Sequence, residues 1–275
     1  MSLPAPSSSS TVLVTGASSG IGAGLARELA RRGHGLTLVA RRKERLTELA
    51  EECRSAHGVE VDVRAVDLGK PASRTRLVAA LHAGEKTVVG VCNNAGFGSF
   101  GLFQKLDADN ESDMVRLNVD AVHELTGAFL PDMVLRGAGA ILNVGSVAGF
   151  QPLPGNATYA ATKAFVNSFS EAVHTDLGGT GVSCSALCPG PVRTEFGEVA
   201  GAGEFGSGPD FLWSEPADVA RAGVEAMAKG TRRGIPGLSN RAAATGGRFA
   251  PRSVLLPLAR FAVARGLAPG NARSS

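Results

Sequence analysis

The feature that most constrains the fold is a repeated alternation of short apolar runs with longer amphipathic stretches. Six runs rich in Val and Leu are the strand candidates: residues 11–15, 35–40, 59–66, 87–92, 140–144 and 182–187. Several of them are apolar at successive rather than alternating positions, which is typical of parallel strands covered by helices on both faces. The alternation therefore predicts an α/β fold built on a doubly wound, right-handed parallel sheet.

A single folded domain accounts for most of the chain. The 275 residues contain no repeat of fixed period and no linker rich enough to separate two large domains. We expect residues 1–10, which are polar and rich in Pro and Ser, to form a disordered tail. Residues 11–240 are expected to form the domain, and residues 241–275 a basic C-terminal extension.

The pattern changes after Thr194. Glycines are frequent there, and they indicate a lid or an irregular loop at about residues 195–213. A further helix is predicted over residues 216–229, with Ser214 as its N-cap.

The charge of the chain is unevenly distributed. The formal net charge is only +3, but residues 231–275 contain eight arginines and no Asp, Glu or Lys. The rest of the chain is therefore mildly acidic. We expect the basic segment to pack on the acidic body or on a partner subunit, because such patches are common without a specific ligand. Contact with a membrane surface is the less favoured alternative, and no nucleic-acid partner is expected.

The cysteines and the N-terminus bear on metal binding and on the compartment. Cys53, Cys92, Cys184 and Cys188 show no CxxC spacing and are accompanied by no His cluster, so no metal site is expected. The N-terminus lacks a basic start followed by an apolar stretch, and no apolar run reaches the length of a bilayer span. Reduced cysteines then favour a cytoplasmic protein.

A glycine-rich loop follows the first strand and opens the first helix. It reads Thr-Gly-Ala-Ser-Ser-Gly-Ile-Gly over residues 15–22, a GxxxGxG spacing that differs from the usual GxGxxG. Such a loop can simply mark a strand-to-helix turn, but its position at the first β–α junction favours a pyrophosphate bound at a helix N-terminus. The predicted cofactor contacts in this loop are Gly16, Ser18, Ser19, Gly20, Ile21 and Gly22.

Four further motifs follow in order along the chain. They are Asn93-Asn94-Ala95-Gly96, Asn143-Val144-Gly145-Ser146, the Tyr159-to-Lys163 YxxxK segment, and Pro189-Gly190-Pro191-Val192-Arg193-Thr194. With the glycine loop, they make residues 11–230 resemble the short-chain dehydrogenase/reductase family in its short single-domain form. Five motifs in the right order are far more specific than any one alone.

This resemblance implies a Rossmann-like fold and a hydride transfer between a nicotinamide and a carbonyl or alcohol. It also implies further contacts with the cofactor, from Asn94, Ala95, Gly96, Tyr159, Lys163, Pro189, Gly190, Val192 and Thr194. Thr194 would contact the nicotinamide carboxamide, or else serve only as a helix N-cap.

The end of the second strand predicts which nicotinamide is used. An NAD site offers a carboxylate to the ribose 2′-OH at this position, whereas this chain has Ala40 followed by Arg41 and Arg42. We therefore predict NADP(H), with Arg41 as the main contact of the 2′-phosphate and Arg42 as a second. The alternative is that both arginines are solvated. Asp67, followed by Leu68, would contact the adenine by resemblance or cap the helix that begins near residue 71.

The spacing of Tyr159 and Lys163 points to proton transfer. Four residues apart on a helix, they lie on one face, and Tyr159 is the only tyrosine of the chain. A phenol has a pKa of about 10. A nearby ammonium lowers that value, and Lys163 is placed to do so. An amphipathic tyrosine beside a solvated lysine is the structural alternative.

Two more residues complete the predicted catalytic set. Ser146 lies 13 residues before Tyr159, as in the family, and would hydrogen-bond the substrate oxygen; otherwise it only ends a strand. Asn118 stands in a helix interior, where asparagine is locally unfavourable. The resemblance implies that Asn118 supports a water-linked proton relay to Lys163.

The aromatic residues suggest an apolar small-molecule substrate, although loop aromatics are as often plain packing. Those near the expected pocket are Phe97, Phe100, Phe150, Phe196 and Phe205. The alternative function is a non-catalytic NADP(H)-binding sensor or regulator. The helices at about residues 111–135 and 157–177 form the subunit interface in many members of the family, which implies a homodimer or homotetramer.

Overall fold

The computed structural model describes residues 3–200, 213–249, 251–253 and 255–257. Within them, seven parallel strands form one sheet in the order β3-β2-β1-β4-β5-β6-β7. The strands are β1 (Ser10–Thr15), β2 (Leu36–Ala40), β3 (Val61–Ala65), β4 (Thr87–Asn93), β5 (Gly139–Val144), β6 (Val182–Leu187) and β7 (Arg233–Gly234). All six predicted strands are confirmed. The two-residue β7, which pairs with the end of β6, is too short to give a hydrophobic pattern.

Helices cover both faces of the sheet, as predicted. They are α1 (Gly20–Arg31), α2 (Lys43–His57), α3 (Pro71–His82), α4 (Ala108–Val115), α5 (Ala121–Arg136), α6 (Ala157–Asp176), α7 (Phe196–Val199), α8 (Pro216–Lys229) and α9 (Leu238–Phe249). One buried core joins α1, α2 and α8 to the sheet. A second core, on the other face, contains residues of α3 and α5. The predicted doubly wound α/β fold is therefore confirmed.

The strand order places the site. β1 lies between β2 and β4, so the chain first builds outward in one direction and then in the other. In such sheets, ligands bind in the crevice beyond the carboxyl ends of the strands at this switch point. The glycine loop follows β1, and the Asn-Asn-Ala-Gly segment begins at the end of β4. The fold thus brings the predicted motifs to one edge of the sheet.

The N-terminal segment differs from its prediction as a disordered tail. Residues 3–9 are ordered, and Ser10 already belongs to β1. Leu3 is only 8% exposed and lies in the core, where a Cβ at Gly90 would be 3.0 Å from its Cδ1. Glycine at position 90 makes room for this leucine, and the apolar contact orders the segment.

Two other boundaries need correction. The predicted helix 216–229 is confirmed as α8, but its N-cap is Glu215 rather than Ser214. Ser214 instead forms a bridge with Val192, and its N–H donates to the Pro191 carbonyl at 2.9 Å. The basic extension was expected to begin at residue 241, whereas α9 runs across that boundary and buries Ala244.

Parts of two predicted segments lie outside the described residues. They are residues 201–212 of the expected lid and most of the C-terminal extension beyond residue 257. Among the helices that the structure does describe, none is both long and apolar enough to cross a membrane.

Candidate active site

The glycine loop forms a cradle at the start of α1. Gly16 and Gly20 have positive φ angles of 64° and 53°, which glycine adopts without strain. A Cβ at Gly22 would lie 2.2 Å from the Gly16 carbonyl oxygen, so only glycine fits there. No side chain caps α1, because the hydroxyl of its N-cap residue Ser19 accepts a hydrogen bond from Arg42 instead. The first N–H groups of α1 are therefore available to an anion.

The segment after β4 is fastened to this loop. The Thr15 hydroxyl accepts hydrogen bonds from the N–H groups of Asn94 (2.9 Å) and Ala95 (3.0 Å). The Asn94 amide donates in turn to the carbonyls of Thr15 and Gly16, at 3.0 and 3.2 Å. A Cβ at Gly20 would lie 3.0 Å from the Thr194 methyl group. Three of the segments predicted to bind the cofactor therefore meet.

Thr194 lies two residues before α7, so Glu195 rather than Thr194 directly precedes that helix. The Thr194 hydroxyl accepts a hydrogen bond from the Phe196 N–H at 3.3 Å, at the start of α7. The predicted contact with the nicotinamide stays a prediction.

The two arginines after β2 have different surroundings. Arg42 donates from Nη2 to the hydroxyls of Ser19 (2.8 Å) and Ser18 (3.1 Å). Arg41 is exposed and makes no hydrogen bond or ion pair with the residues that the structure describes. The predicted contacts of both with a 2′-phosphate stay predictions, but Arg42 is the one that lies against the glycine loop.

Sequence reasoning missed Glu195 as a partner of these arginines. Its carboxylate accepts from Arg45 at 2.5 Å and from Arg42 at 3.0 Å. The hydrogen bond from Arg45, followed by that from Arg42, lowers the pKa of Glu195. Glu195 is 150 residues from Arg45 in the sequence, so no local sequence pattern predicts this ion pair.

Asp67 lies just after the carboxyl end of β3. Its Oδ1 accepts from the Gly69 N–H at 3.0 Å, whereas α3 has Lys70 as its N-cap and no side-chain cap. The alternative role of Asp67 as a helix cap is therefore not observed. Leu68 is buried, and its carbonyl accepts from Arg74 at 2.8 Å. The adenine contact of Asp67 stays a prediction.

The predicted catalytic residues meet where α6 crosses the end of β5. Lys163 is 6% exposed; its Nζ donates to the Val144 carbonyl at 2.8 Å and lies 5.7 Å from the centroid of the Tyr159 ring. The Ser146 hydroxyl accepts from the Ala148 N–H at 3.1 Å and donates to the Pro189 carbonyl at 3.4 Å. It also lies close enough to Tyr159 to lower the pKa of the phenol. The structure therefore brings serine, tyrosine and lysine together.

Burial controls the pKa values of this group. Desolvation raises the pKa of Tyr159 to about 12, and the hydrogen bond with Ser146 only partly opposes it. Desolvation also lowers the pKa of Lys163 to about 8. We expected the lysine to lower the pKa of the phenol. In this structure the expectation is wrong, because burial disfavours the charged form of each group.

Asn118 lies in a five-residue π-helical segment, Arg116–Asp120, between α4 and α5. Its amide donates to the Phe97 carbonyl (2.9 Å) and to the Thr162 hydroxyl (3.1 Å). A Cβ at Gly96 would lie 2.8 Å from Asn118 Oδ1 and 3.7 Å from Lys163 Nζ, so both groups border the same gap. The proton relay stays a prediction. A short π-helical segment between two α-helices is often found at functional sites. No sequence pattern predicted this one.

Two of the five phenylalanines have contacts that clarify their role. The Phe196 ring lies 5.3 Å from the Tyr159 ring, and a Cβ at Gly98 would be 2.9 Å from it. Phe150 instead lies beneath the Arg233 guanidinium, at 4.9 Å. Phe205 lies outside the described residues. Phe196 therefore borders Tyr159, whereas Phe150 packs against Arg233.

The fold and site together define a class of protein: a doubly wound nucleotide-binding domain in which Ser146, Tyr159 and Lys163 lie together at the switch point. The family model for short chain dehydrogenases matches residues 10–204. Sulfoacetaldehyde reductase 2 of Chromohalobacter salexigens is 39% identical over 198 residues, which cover 71% of this chain and 78% of the reductase.

Two solved structures extend the similarity to nearly the whole chain. A short-chain dehydrogenase from Sphingobium yanoikuyae, in complex with NADPH, has a TM-score of 0.78 and 34% identity, covering 97% of this chain and 98% of that one. The bulky-bulky ketone specific alcohol dehydrogenase from Comamonas testosteroni has a TM-score of 0.74 and 30% identity, covering 98% of each chain. The chain belongs to the short-chain dehydrogenase/reductase family and is an oxidoreductase.

Proposed function

We propose that the protein is an NADP(H)-dependent oxidoreductase that interconverts a carbonyl and an alcohol, with Tyr159 as general acid and base. The observation that carries the proposal is the meeting of Ser146, Tyr159 and Lys163 beside the glycine cradle. The cradle fits a dinucleotide because Gly22 allows close backbone approach and α1 has no side-chain cap. The non-catalytic alternative is not favoured, since all four catalytic positions are occupied.

In the reductive direction the residues act as follows. NADPH, when bound, supplies the hydride that adds to the carbonyl carbon. Ser146 and Tyr159 donate hydrogen bonds to the carbonyl oxygen, where negative charge develops. The phenol of Tyr159, neutral at pH 7 because its pKa is about 12, transfers its proton to that oxygen. Lys163 returns a proton to the phenolate, and the gap between Lys163 and Asn118 is the proposed path from solvent.

The arginines favour NADPH over NADH. Position 40 is alanine, so no carboxylate stands where it would repel a 2′-phosphate. Arg42 already lies at the loop, and Arg41 has no competing partner among the described residues. NADPH bound to the similar Sphingobium protein supports this choice. Replacing both arginines with Ala should weaken NADPH binding much more than NADH binding in isothermal titration; equal losses would reject the assignment.

An apolar substrate is the proposed class. Phe196 borders Tyr159 and presents an aromatic face to the place where a substrate would meet the phenol. The similarity to a bulky-bulky ketone specific alcohol dehydrogenase supports ketones with two large substituents. The similarity to a sulfoacetaldehyde reductase makes a small anionic aldehyde the class to compare with it.

The test is to follow NADPH absorbance with a panel of bulky ketones, aldehydes including sulfoacetaldehyde, oxoacyl thioesters and quinones. Tyr159→Phe should lower turnover by about 100- to 10,000-fold, the usual contribution of a positioned acid or base. NADPH affinity should stay nearly unchanged, because only a hydroxyl is removed. Near-normal turnover in this variant would overturn the role of Tyr159.

We also propose a homodimer or homotetramer that assembles through the surface of α5 and α6. Phe165 is exposed there and stacks on Phe169 with ring centroids 5.5 Å apart, and His123 of α5 lies against Phe169. Light scattering should give the mass of a dimer or tetramer, and Phe165→Glu should lower it. The cytoplasm remains the proposed compartment, in keeping with four free, buried cysteines.

A further inference from the structure

Asn167 is a buried polar residue of α6 that no motif singled out. It is 4% exposed and follows Lys163 by four residues and Tyr159 by eight. That spacing places all three side chains on one face of the helix. The third turn of α6 therefore presents an amide to the end of β5, beside the two predicted catalytic side chains.

Both halves of this amide bind the backbone of one residue, Ser146. Asn167 Nδ2 donates to the Ser146 carbonyl at 2.9 Å, and Oδ1 accepts from the Ser146 N–H at 3.4 Å. The Cys188 thiol donates to the same Oδ1 at 3.2 Å. The Asn167 amide thus provides hydrogen-bond partners for the backbone N–H and carbonyl of Ser146, which lies just beyond the end of β5.

The surrounding sequence leaves room for this side chain. A Cβ at Gly145 would lie 1.9 Å from Asn167 Oδ1, and a Cβ at Gly149 would lie 2.6 Å from Nδ2. A larger residue at either position would push the amide away from Ser146. Glycine on both sides of the serine is therefore matched to an asparagine on α6.

We propose that Asn167 is a positioning residue for catalysis, whose amide fixes the Ser146 backbone so that the serine hydroxyl stays beside the Tyr159 phenol. The inference rests on the proposed function only for the catalytic meaning of that placement. Lys163 holds the Val144 carbonyl from the same helix. One helix therefore carries the tyrosine and sets the distance between it and the serine.

This arrangement predicts a measurable coupling. A displacement of about 1 Å at a reacting group can cost about 100-fold in rate. The bond with Ser146 also lowers the pKa of Tyr159, against the effect of burial. Without Asn167, the serine hydroxyl should move away from the phenol, and both the rate and the environment of the phenol should change.

The first readout needs no substrate. Because Tyr159 is the only tyrosine, protein labelled with ¹³C at the tyrosine Cζ gives a single resonance that reports hydrogen bonding to the phenol. Asn167→Leu, close in shape but without the amide, should shift this resonance in the same direction as Ser146→Ala. The double variant should shift it no further than Ser146→Ala alone. A resonance that stays at its wild-type position in folded Asn167→Leu would overturn the inference.

The second readout is kinetic, with NADPH and the best ketone of the panel. Asn167→Leu should lower kcat by about 10- to 100-fold. In the Ser146→Ala background the same change should cost less than about 3-fold, since residues that act as a unit are not additive. Equal losses in both backgrounds would overturn the inference and leave a purely structural role. The proposed function is tested separately by Tyr159→Phe.

A control and a second variant keep the test decisive. Ser170→Ala removes two buried hydrogen bonds of α6, because the Ser170 hydroxyl accepts from the Asn143 amide (3.0 Å) and donates to the Val166 carbonyl (2.7 Å). Neither bond involves Ser146. This variant should leave the resonance and kcat within about 2-fold of wild type. If Asn167→Leu does not fold, Asn167→Asp keeps the shape but sets a carboxyl oxygen, charged when ionised, against the Ser146 carbonyl in place of the donor. It should shift the resonance in the same direction, and no shift would overturn the inference.

Discussion

Lys163 should destabilise the folded protein at neutral pH, so Lys163→Met should be more stable than the wild type and inactive. Burial lowers the pKa of Lys163 to about 8, whereas an unfolded lysine has a pKa of about 10.4. At 1.36 kcal/mol per pKa unit, the difference amounts to about 3 kcal/mol. The variant also loses the hydrogen bond to the Val144 carbonyl, which lowers its free energy of unfolding by about 1 kcal/mol. The expected net gain is about 2 kcal/mol at pH 7.

The pH dependence follows from the direction of the shift. Below about pH 8 both the folded and the unfolded chain carry the proton on Lys163, so the full penalty of burying the charge is present. Between about pH 8 and 10.4 the unfolded chain binds more protons than the folded one, and wild-type stability rises with pH. The difference in free energy of unfolding between Lys163→Met and the wild type should therefore be constant up to about pH 8 and shrink above it.

Urea unfolding of both proteins at several pH values from 7 to 10 measures this difference directly. Lys229→Met is the matched control, because Lys229 is exposed on α8 and forms an ion pair with Glu225. Its stability difference from wild type should be small and should not shrink in the same pH range. A Lys163→Met protein that is less stable than wild type at pH 7, or whose gain does not change with pH, would refute the reasoning.

Three further predictions test the cofactor cradle, the arginine site and the ordered N-terminus. Gly22→Ala places a methyl group 2.2 Å from a backbone oxygen, so NADPH affinity in isothermal titration should fall at least about 10-fold; unchanged affinity would contradict the cradle. Glu195→Gln weakens the ion pair that occupies Arg42, so the NADPH Kd should fall a few-fold while the NADH Kd does not; equal changes would contradict competition for Arg42. Leu3→Ala should lower the free energy of unfolding by about 2 kcal/mol, and no loss in urea titration would mean that residue 3 does not contribute to the core.

Much of the fold was predictable because its determinants are local. Each strand is a short apolar run, and each motif is a few consecutive residues at a strand end. What could not be predicted depends on contacts between distant segments. The ion pairs of Glu195, the packing of Leu3 beneath Gly90 and the bond between Asn167 and Ser146 all join separate elements. Hydrophobic periodicity carries no information about such pairs.

The pKa of Tyr159 illustrates the same limit at the level of chemistry. The four-residue spacing correctly places Lys163 on the face of the helix that carries the tyrosine. The spacing carries no information about exposure to solvent. Desolvation determines the direction of both pKa shifts, because it disfavours the charged form of each group. A spacing rule that considers only the attraction between ammonium and phenolate therefore predicts the wrong direction for the phenol.

These pKa shifts follow from how the site is built. A lysine with a pKa of about 8 exchanges protons readily near neutral pH, which suits a residue that returns a proton to a phenolate. The same burial that gives Lys163 this property makes it unfavourable for stability. Two hydrogen bonds join α6 to the end of β5, from Lys163 to the Val144 carbonyl and from Asn167 to the Ser146 carbonyl. They hold the buried lysine in place although its burial is unfavourable for stability. Variants that stabilise the protein by replacing these polar side chains with apolar ones should therefore lose activity, because they remove the contacts that position the proposed proton donor, Tyr159.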